Sequence, residues 1–472
     1  MAHRTVGDQA AGVGMSRGQL VAALLVAALA VGGAVFADRD VGPKGLDAAP
    51  VSSVASGEWF CPHGGGEDWE VELQVANPGA SPATIRLQTL GGRRPDESTT
   101  ATVEPGSTLR VEVPADARER ASTVEWFGQW VAVGWVAHAG GDEGGVAAEP
   151  CAPAAGGRWL VPDGTSAEEE NRDFVVVMNP FSGDAVVSIA FLSERNVPTR
   201  HSDLTDVVVP SHRSLAVPIS DYVLRERTVS ALVEASVGRV VAASLGVVQT
   251  GGIRSAIGYL GRPPSQLVFP GGDDAGRAEL VVMSTGLQRV SLAGELLEKD
   301  ADRPFAGFAD SSPPGESGRT YQATTTGPTS VLFTTENSGI AAARRTFGVV
   351  SDQASTGGAP PAGSWVVFST VDGSPSHPGL VLANPGEEPA EVTLSYMAPA
   401  TGAPVTITVP PQRSVVAPKD FLEAEPSGAV LAASESGTFV PASASYSLGR
   451  EGLATYAVAL GIPIPSQWIP AS

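Results

Sequence analysis

Apolar and polar residues alternate along most of the chain, in short stretches that end at proline, glycine or asparagine. Clear examples are WEVELQVANP from Trp69, ATIRLQTL from Ala83 and AEVTLSYM from Ala390. Alternation with a period of two puts every second side chain on one face of a strand, so it predicts half-buried β-strands. Turn residues recur about every 8–12 positions, which predicts an all-β fold with about seven strands per hundred residues.

One landmark sequence recurs about every 100 residues, a spacing that indicates internal repeats. It consists of an aromatic residue or leucine, two apolar residues and usually a proline, and it begins at Trp59, Trp159, Leu267, Trp365 and Trp468. An Asn-Pro strand end follows in three of the repeats, and a proline turn then precedes Ser107, Ser214 or Ser414. We therefore predict four tandem modules, at 58–156, 157–263, 264–362 (diverged, because it lacks these signals) and 363–472.

Each module is predicted to be an immunoglobulin-like β-sandwich, in which strands alternate core-facing and solvent-facing side chains. A β-propeller-like ring is the alternative, although propeller blades repeat about every 40–50 residues. Short Pro/Gly connections at 152–157 and 357–363 favour an elongated linear array. Its radius of gyration should exceed the roughly 23 Å expected for a globular chain of this length.

An uncharged apolar run from Leu20 to Ala37 precedes the modules. A helix of this length spans about 27 Å, close to the thickness of a hydrocarbon core. Arg4 and Arg17 before it orient the N-terminus inwards by the positive-inside rule. We predict a cytoplasmic N-terminus (1–18), one transmembrane helix (19–37), a flexible stalk (38–57) and an extracytoplasmic remainder. The alternative is a cleaved signal peptide and a secreted protein.

The chain contains two cysteines, Cys61 and Cys151. In an exported protein, a single pair of cysteines most simply forms one disulfide, here within the first module. Such a bond would close a loop of about 90 residues, for which the chain-entropy model gives about 4–5 kcal/mol.

The formal net charge of −21 argues against nucleic-acid binding, which requires a basic surface. No catalytic motif is present, and His201-Ser202-Asp203 places triad residue types side by side rather than across a fold. We therefore predict no enzymatic activity, no cofactor and no metal. The acidic loops at Glu67-Asp68, Glu168–Glu170 and Asp273-Asp274 are interpreted as solvated turns, because they lack calcium-loop spacing.

Tryptophans provide the one candidate ligand surface in the sequence. Trp59, Trp159 and Trp365 stand at equivalent places and are predicted to be core residues. Trp126 and Trp130 flank a turn at Gly128, so at least one of them is expected to be exposed for ligand contact.

The apolar segment followed by WFCP at Trp59, the Asn77-Pro78-Gly79 strand end and the recurring Val-x-Pro turns carry a resemblance. The chain resembles an actinobacterial family of membrane-anchored secreted proteins with a domain of unknown function and tandem β modules. This resemblance implies a cell-envelope protein. We expect a non-enzymatic scaffold or adhesion-type interaction protein, with a carbohydrate-binding accessory protein of envelope glycan assembly as the alternative. Its expected partners are the cytoplasmic membrane and an envelope glycan or protein.

Overall fold

The structure is a computed structural model. It describes residues 55–91, 97–167, 172–195, 197–248, 252–271, 275–300, 302–305, 313, 315–327, 329–336, 339–347, 353–369, 376–398, 402–424, 428–448 and 454–468. Within these ranges no helix has both the length and the apolar character needed to cross a membrane. The predicted N-terminus 1–18, the membrane segment 19–37 and stalk residues 38–54 lie outside them, so the anchor stays a prediction.

The described residues fall into four successive strand groups, and the prediction of an all-β fold is confirmed. The first group contains β1 (Ser56–Cys61), β2 (Trp69–Asn77), β3 (Ala83–Leu90), β4 (Ser98–Val103), β5 (Ser107–Val113), β6 (Ala121–Phe127), β7 (Ala132–Ala139) and β8 (Gly145–Pro150). The second contains β9 (Arg158–Val161), β10 (Arg172–Asn179), β11 (Ala185–Ser193), β12 (Thr199–Arg200), β13 (Val207–Val209), β14 (Arg213–Pro218), β15 (Val229–Val237), β16 (Val241–Val248), β17 (Gly252–Ile257) and β18 (Tyr259–Leu260).

The third group contains β19 (Gln266–Phe269), β20 (Ala275–Ser284), β21 (Leu292–Leu297), β22 (Asp302–Pro304), β23 (Ser317–Thr326), β24 (Ser330–Thr335), β25 (Ile340–Phe347) and β26 (Gln353–Thr356). The fourth contains β27 (Ser364–Val367), β28 (Ser376–Asn384), β29 (Ala390–Tyr396), β30 (Val405–Val409), β31 (Arg413–Val416), β32 (Val430–Ser434), β33 (Val440–Leu448), β34 (Ala454–Leu460) and β35 (Ile462–Pro463). Helical segments in the described ranges are short: α1 (Lys419–Ala424) and 3-10 turns at Gly141–Glu143, Ser202–Leu204, Ile219–Asp221 and Ser466–Trp468.

Each strand group forms two small antiparallel sheets whose strand order repeats from group to group. One sheet runs β1-β6-β3-β4, and its counterparts run β9-β15-β11-β12, β19-β24-β21-β22 and β27-β32-β29-β30. The other runs β5-β2-β7-β8, followed by β14-β10-β16-β17, β23-β20-β25-β26 and β31-β28-β33-β34. The third group therefore keeps the topology of the others, although its sequence lacks their most visible signals.

The two sheets of a group share one hydrophobic core, as the alternating pattern requires. On β2, Val71, Leu73 and Val75 are buried and lie in the same cluster as Ile85 and Val124 of the other sheet. Burying a side chain of this size contributes about 1.5–3 kcal/mol. Alternation in the sequence thus sets which face of each strand turns towards the core.

The recurring Asn-Pro strand end has a structural role. Asn77, at the end of β2, donates its Nδ2–H to the carbonyl of Val103 on β4 (2.9 Å) and accepts the Gly79 N–H (3.0 Å). Asn179 and Asn384 make the same link to the carbonyls of residues 209 and 409. One side chain thereby ties the two sheets together and closes the turn, two tasks that fit an amide with both donor and acceptor atoms.

Each of the strands β8, β17, β26 and β34 lies at the edge of its own sheet. These four strands, here called the central strands, contact one another in a closed cycle, in which β34 contacts β8. Their sequences are rich in glycine, alanine and serine. At the closest approach, a Cβ added to Gly145 would lie 2.7 Å from the Cα of Gly252. The predicted linear array is therefore wrong, because small residues let four sheet edges meet around one axis. The ring alternative matches this closure, but each unit contributes two sheets rather than one propeller blade.

The recurring serines after the proline turns lie at the boundaries between strand groups. Ser214 donates to the Glu119 carbonyl of the first group, and Ser414 donates to Ser330 Oγ of the third group at 2.7 Å. At the boundary between the last and first groups, Thr108 N–H, one residue after Ser107, donates to the Ala398 carbonyl at 3.0 Å. The repeated motif therefore marks a contact between groups, which the sequence pattern alone does not reveal.

Candidate functional site

An apolar cavity with a volume of about 470 Å³ lies where the landmark strands and the connections after the central strands meet. All four strand groups or their connections contribute to it, through residues such as Trp59, Trp159, Tyr259, Ala359 and Ile462. Ligand pockets in proteins commonly occupy about 300–1,000 Å³. We call this space the axial cavity, and its size suits a small ligand or an anchoring side chain.

Two landmark tryptophans form fixed walls of the axial cavity. Trp59 Nε1–H donates to the Val131 carbonyl at 2.8 Å, and Trp159 Nε1–H donates to the Val240 carbonyl at 2.6 Å. Both rings are buried, as predicted for core residues, and Trp365 is buried as well. Because their polar atoms are already bonded within the protein, the rings present only apolar surface to the cavity.

Trp126 and Trp130 are both buried, so the expectation that one of them is exposed is wrong. Trp126 packs edge-on against Trp468, with 6.0 Å between ring centroids, because the 3-10 turn Ser466–Trp468 lies against the first group. Trp130 packs against Trp59 at 6.1 Å and lines the axial cavity. Of the two predicted ligand residues, the structure thus places Trp130 at a cavity and Trp126 in a contact between groups.

Prolines and one arginine complete the lining of the axial cavity. The prolines are Pro150, Pro153, Pro263, Pro264, Pro463 and Pro465. Arg262 is the one charged residue among the described lining residues. A lining of aromatic rings, prolines and aliphatic side chains can desolvate an apolar group but offers little for acid–base chemistry.

The predicted disulfide between Cys61 and Cys151 is confirmed, with a Cα–Cα distance of 4.5 Å. Cys61 ends β1 in one sheet, and Cys151 directly follows β8 in the other. Cys151 also lines the axial cavity. The bond therefore cross-links the two sheets of the first group beside the cavity.

His201, Ser202 and Asp203 form a local turn rather than a catalytic arrangement. The Asp203 N–H donates to His201 Nδ1 at 3.3 Å, and the three side chains are exposed on a 3-10 turn. No metal-binding group of three or more His, Cys, Asp or Glu occurs within the described ranges. Glu67 and Asp68 are described and exposed, whereas the loops Glu168–Glu170 and Asp273-Asp274 lie outside the described residues.

Buried titratable groups occur in the first strand group. His63 contacts the Gly64 carbonyl through Nδ1 at 2.6 Å and Ser122 Oγ through Nε2 at 3.0 Å. Burial lowers the pKa of His63 from 6.5 to about 4, so the imidazole is neutral in the folded protein at neutral pH. Burial also raises the pKa of Glu149, on the central strand β8, well above its usual range.

A second cavity, of about 440 Å³, lies between the second and third strand groups and is polar. Its charged lining residues are Arg227, Arg254, Arg277, Arg345, Glu194 and Glu279. We call it the arginine cavity. The sequence does not reveal it, because these residues come from separate stretches of a strongly acidic chain. The available signal was the Arg-x-Glu pair at 277 and 279 and the adjacent arginines 344 and 345. In the structure these residues lie on β20 and β25.

The floor of the arginine cavity is a buried ion network. Arg345 donates through Nε to Asp163 Oδ1 and through Nη2 to the Gly164 carbonyl at 2.8 Å. Arg254 donates to Asp173, and Ser355 Oγ–H donates to Asp163 Oδ2 at 2.7 Å. Burial alone would raise the pKa of Asp163, but the charges of Arg345 and Arg254 outweigh it and lower that pKa. The network joins the second and third groups and fixes both guanidinium groups.

Its fold defines the molecule as an all-β protein with four strand groups closed around a common axis. The family of unknown function DUF5719 matches residues 125–364. The chain belongs to this family. No curated protein matches the chain. Among solved structures it is similar to a tetra-tandem repeat in the extending region of a large adhesion protein, at 13% identity and a TM-score of 0.12, covering 82% of this chain and 92% of that one. A likeness at that TM-score carries no argument about fold or function.

Proposed function

We propose that the protein is a non-enzymatic interaction scaffold of the cell envelope, displayed outside the cytoplasmic membrane by its N-terminal segment. The disulfide supports export, because such bonds persist in oxidising compartments. The uncharged run from Leu20 to Ala37 supports anchoring. In this proposal each pair of sheets is one β-sandwich module, and the four modules form a single rigid platform.

The axial cavity is the observation that carries the proposal. Binding energy at protein interfaces is concentrated where an apolar anchor side chain fills a desolvated pocket. The fixed rings of Trp59 and Trp159, with the surrounding prolines, would hold such an anchor from a partner protein. Because its lining is mainly apolar, the cavity suits this role better than the alternative of binding a neutral carbohydrate.

Photo-cross-linking in cells tests the partner site. A photoreactive residue at Leu260, at the rim of the cavity, should cross-link to a defined protein, whereas the same residue at the exposed Leu287 should not. The rim substitution Ala154→Glu should abolish this cross-link, and Ala80→Glu, at an exposed position in the first group, should preserve it. Equal cross-linking from both probe positions, or an unaffected cross-link in A154E, would refute the assignment.

Topology is tested separately. A fusion reporter joined after residue 57 should be active outside the membrane and should remain with the cell. Release of most of the protein into the medium would show that the N-terminal segment is a cleaved signal peptide rather than an anchor. A glycan array run with the purified protein tests the alternative of a carbohydrate-binding accessory protein of envelope glycan assembly.

A further inference from the structure

The arginine cavity gathers several arginines of a strongly acidic chain in one place. The protein carries a net charge of −21, yet four arginines and two glutamates line this cavity. Arg254 and Arg345 are almost fully buried, with side-chain exposures of 2% and 6%. Burying guanidinium groups is costly unless carboxylates pair with them, and the carboxylates of Asp163 and Asp173 do so from below.

One guanidinium nitrogen on the floor retains donor capacity towards the cavity. Arg345 uses Nε and Nη2 for Asp163 and Gly164, whereas its Nη1 comes no closer than 3.8 Å to Glu279 Oε2. That separation exceeds hydrogen-bond distance. The Glu279 carboxylate instead accepts from Gln322 Nε2 at 2.7 Å. The floor therefore presents a fixed, positively charged donor to the cavity.

Arg277 adds a second guanidinium from the wall. It lies over the Phe347 ring, 3.9 Å from its centroid, and its Nε is 3.4 Å from Glu279. The aromatic ring holds the guanidinium plane in place while leaving its edge available. Arg227 lines the same cavity from the turn that precedes β15.

At the boundary between the first and second groups, two arginines bind one carboxylate of the chain. There, Arg118 from the turn before β6 and Arg172 at the start of β10 both pair with the carboxylate of Glu143. Trp69 Nε1–H donates to the same carboxylate at 2.9 Å. Burial by itself would raise the pKa of Glu143, but these contacts lower it. A carboxylate thus occupies the space between two arginines at this boundary.

Arg227 and Arg277 stand at the corresponding places of the next boundary, before β15 and near the start of β20. Glu143 belongs to the connection between β7 and β8, and the equivalent connection between β16 and β17 has the sequence Gln-Thr-Gly, without an acidic residue. Among the described residues, the second boundary repeats the two arginines without a carboxylate that bridges them as Glu143 does, because Glu279 pairs with Arg277 at 3.4 Å and lies 3.8 Å from Arg345. An external oxyanion can take the place of that bridging carboxylate.

We propose that the arginine cavity binds a small polyhydroxylated ligand that carries a carboxylate or phosphate group, such as a sugar acid or a sugar phosphate. Guanidinium groups bind planar or tetrahedral oxyanions by paired hydrogen bonds. Thr165, Thr320, Gln322 and Glu194 supply the neutral and acidic hydrogen-bonding groups that hydroxyls require. The volume of about 440 Å³ accommodates one or two sugar rings. This site is independent of the axial cavity and of the partner proposed there.

Isothermal titration of the full-length protein with glucuronate, glucose 6-phosphate and glucose tests the proposal. One or both anions should bind at one site per chain, at least about tenfold tighter than glucose, because charge-assisted hydrogen bonds are the stronger ones. Binding of glucuronate alone assigns a carboxylate ligand, and binding of glucose 6-phosphate alone assigns a phosphate ligand. If neither anion binds more tightly than glucose, the proposal is wrong.

Two substitutions locate the site. Arg277→Gln and Arg227→Gln, on the exposed side of the cavity, should each weaken anion binding about tenfold without lowering the melting temperature. Arg289→Gln, which removes the same charge from an exposed turn, is the matched control and should leave affinity unchanged. Equal losses of anion affinity in R289Q and R277Q would show that the overall charge of the protein, not the arginine cavity, determines binding. That result would overturn the assignment.

Discussion

The first and third strand groups have the same sheet topology but are stabilised by different interactions. The first is closed by the Cys61–Cys151 bond and contains the buried, neutral His63. The third contains no cysteine and joins its neighbour through the charged pair Arg345–Asp163. One topology therefore tolerates either a covalent link or a buried ion network. The divergent sequence of the third group therefore does not correspond to a different topology.

Removing the covalent link should have the largest effect. The double substitution of Cys61 and Cys151 by serine should lower the free energy of unfolding by about 4–5 kcal/mol, because a loop of about 90 residues regains its entropy in the unfolded chain. Guanidinium chloride unfolding measures this loss. A loss below about 1 kcal/mol would show that the boundaries with neighbouring groups, not the disulfide, stabilise the first group.

Removing the central carboxylate of the ion network is the matching test for the third group. Asp163→Ala should cost about 3–5 kcal/mol, because it leaves Arg345 and Arg254 buried beside an unfilled position. The exposed Asp300→Ala serves as the control and should change stability by less than about 0.5 kcal/mol. If D163A unfolds at the denaturant concentration of the wild type, the network contributes no net stability.

Acid should destabilise the first group through His63. The folded state prefers the neutral form of His63, so its contribution is complete above the unfolded-state pKa near 6.5 and is lost as the pH falls towards 4. The shift corresponds to about 3 kcal/mol. In His63→Gln, the loss of unfolding free energy between pH 7 and pH 4 should be smaller by about that amount than in the wild type. The exposed His201→Gln should retain the wild-type pH dependence.

The smallest expected effect concerns the strand-end amide. Asn77→Ala should cost about 1–2 kcal/mol, because the buried Val103 carbonyl and the Gly79 N–H lose their partner. Ser284 stands at the equivalent place in the third group, where its Oγ is 3.5 Å from the Gly286 carbonyl. Ser284→Asn should therefore stabilise the protein or leave it unchanged. Measurable destabilisation by S284N would show that this turn differs from that of the first group.

The sequence was sufficient to predict the strands, the all-β class and the disulfide, because alternation and cysteine pairing are local or pairwise signals. It was insufficient to predict that the four strand groups close into a ring. Contacts such as Thr108 with Ala398 depend on how far four groups rotate about their connections, and no local pattern encodes that angle. The small residues of the central strands can be read from the sequence. They indicate that another strand packs closely against them, but they do not identify which strand it is.

The two cavities were unpredictable for the same reason. Trp130 was identified because it flanks a turn at Gly128, although the surface it forms requires Tyr259 and Ile462 from distant groups. Arg277 and Arg345 lie far apart in the sequence of the third group. They line one cavity because the third group packs against the second, where Arg345 pairs with Asp163.

Closure of the ring has a consequence for how the molecule folds and unfolds. In an open chain of repeats, each unit contacts only its neighbours, so unfolding can begin at an end and proceed inwards. Here β34 of the fourth group contacts β8 of the first, and no strand group in the cycle lies at an end. Losing any one group breaks two boundaries at once, which favours a single cooperative transition. The contact between β8 and β34 also joins residues far apart in the chain, so it forms late and makes folding slow.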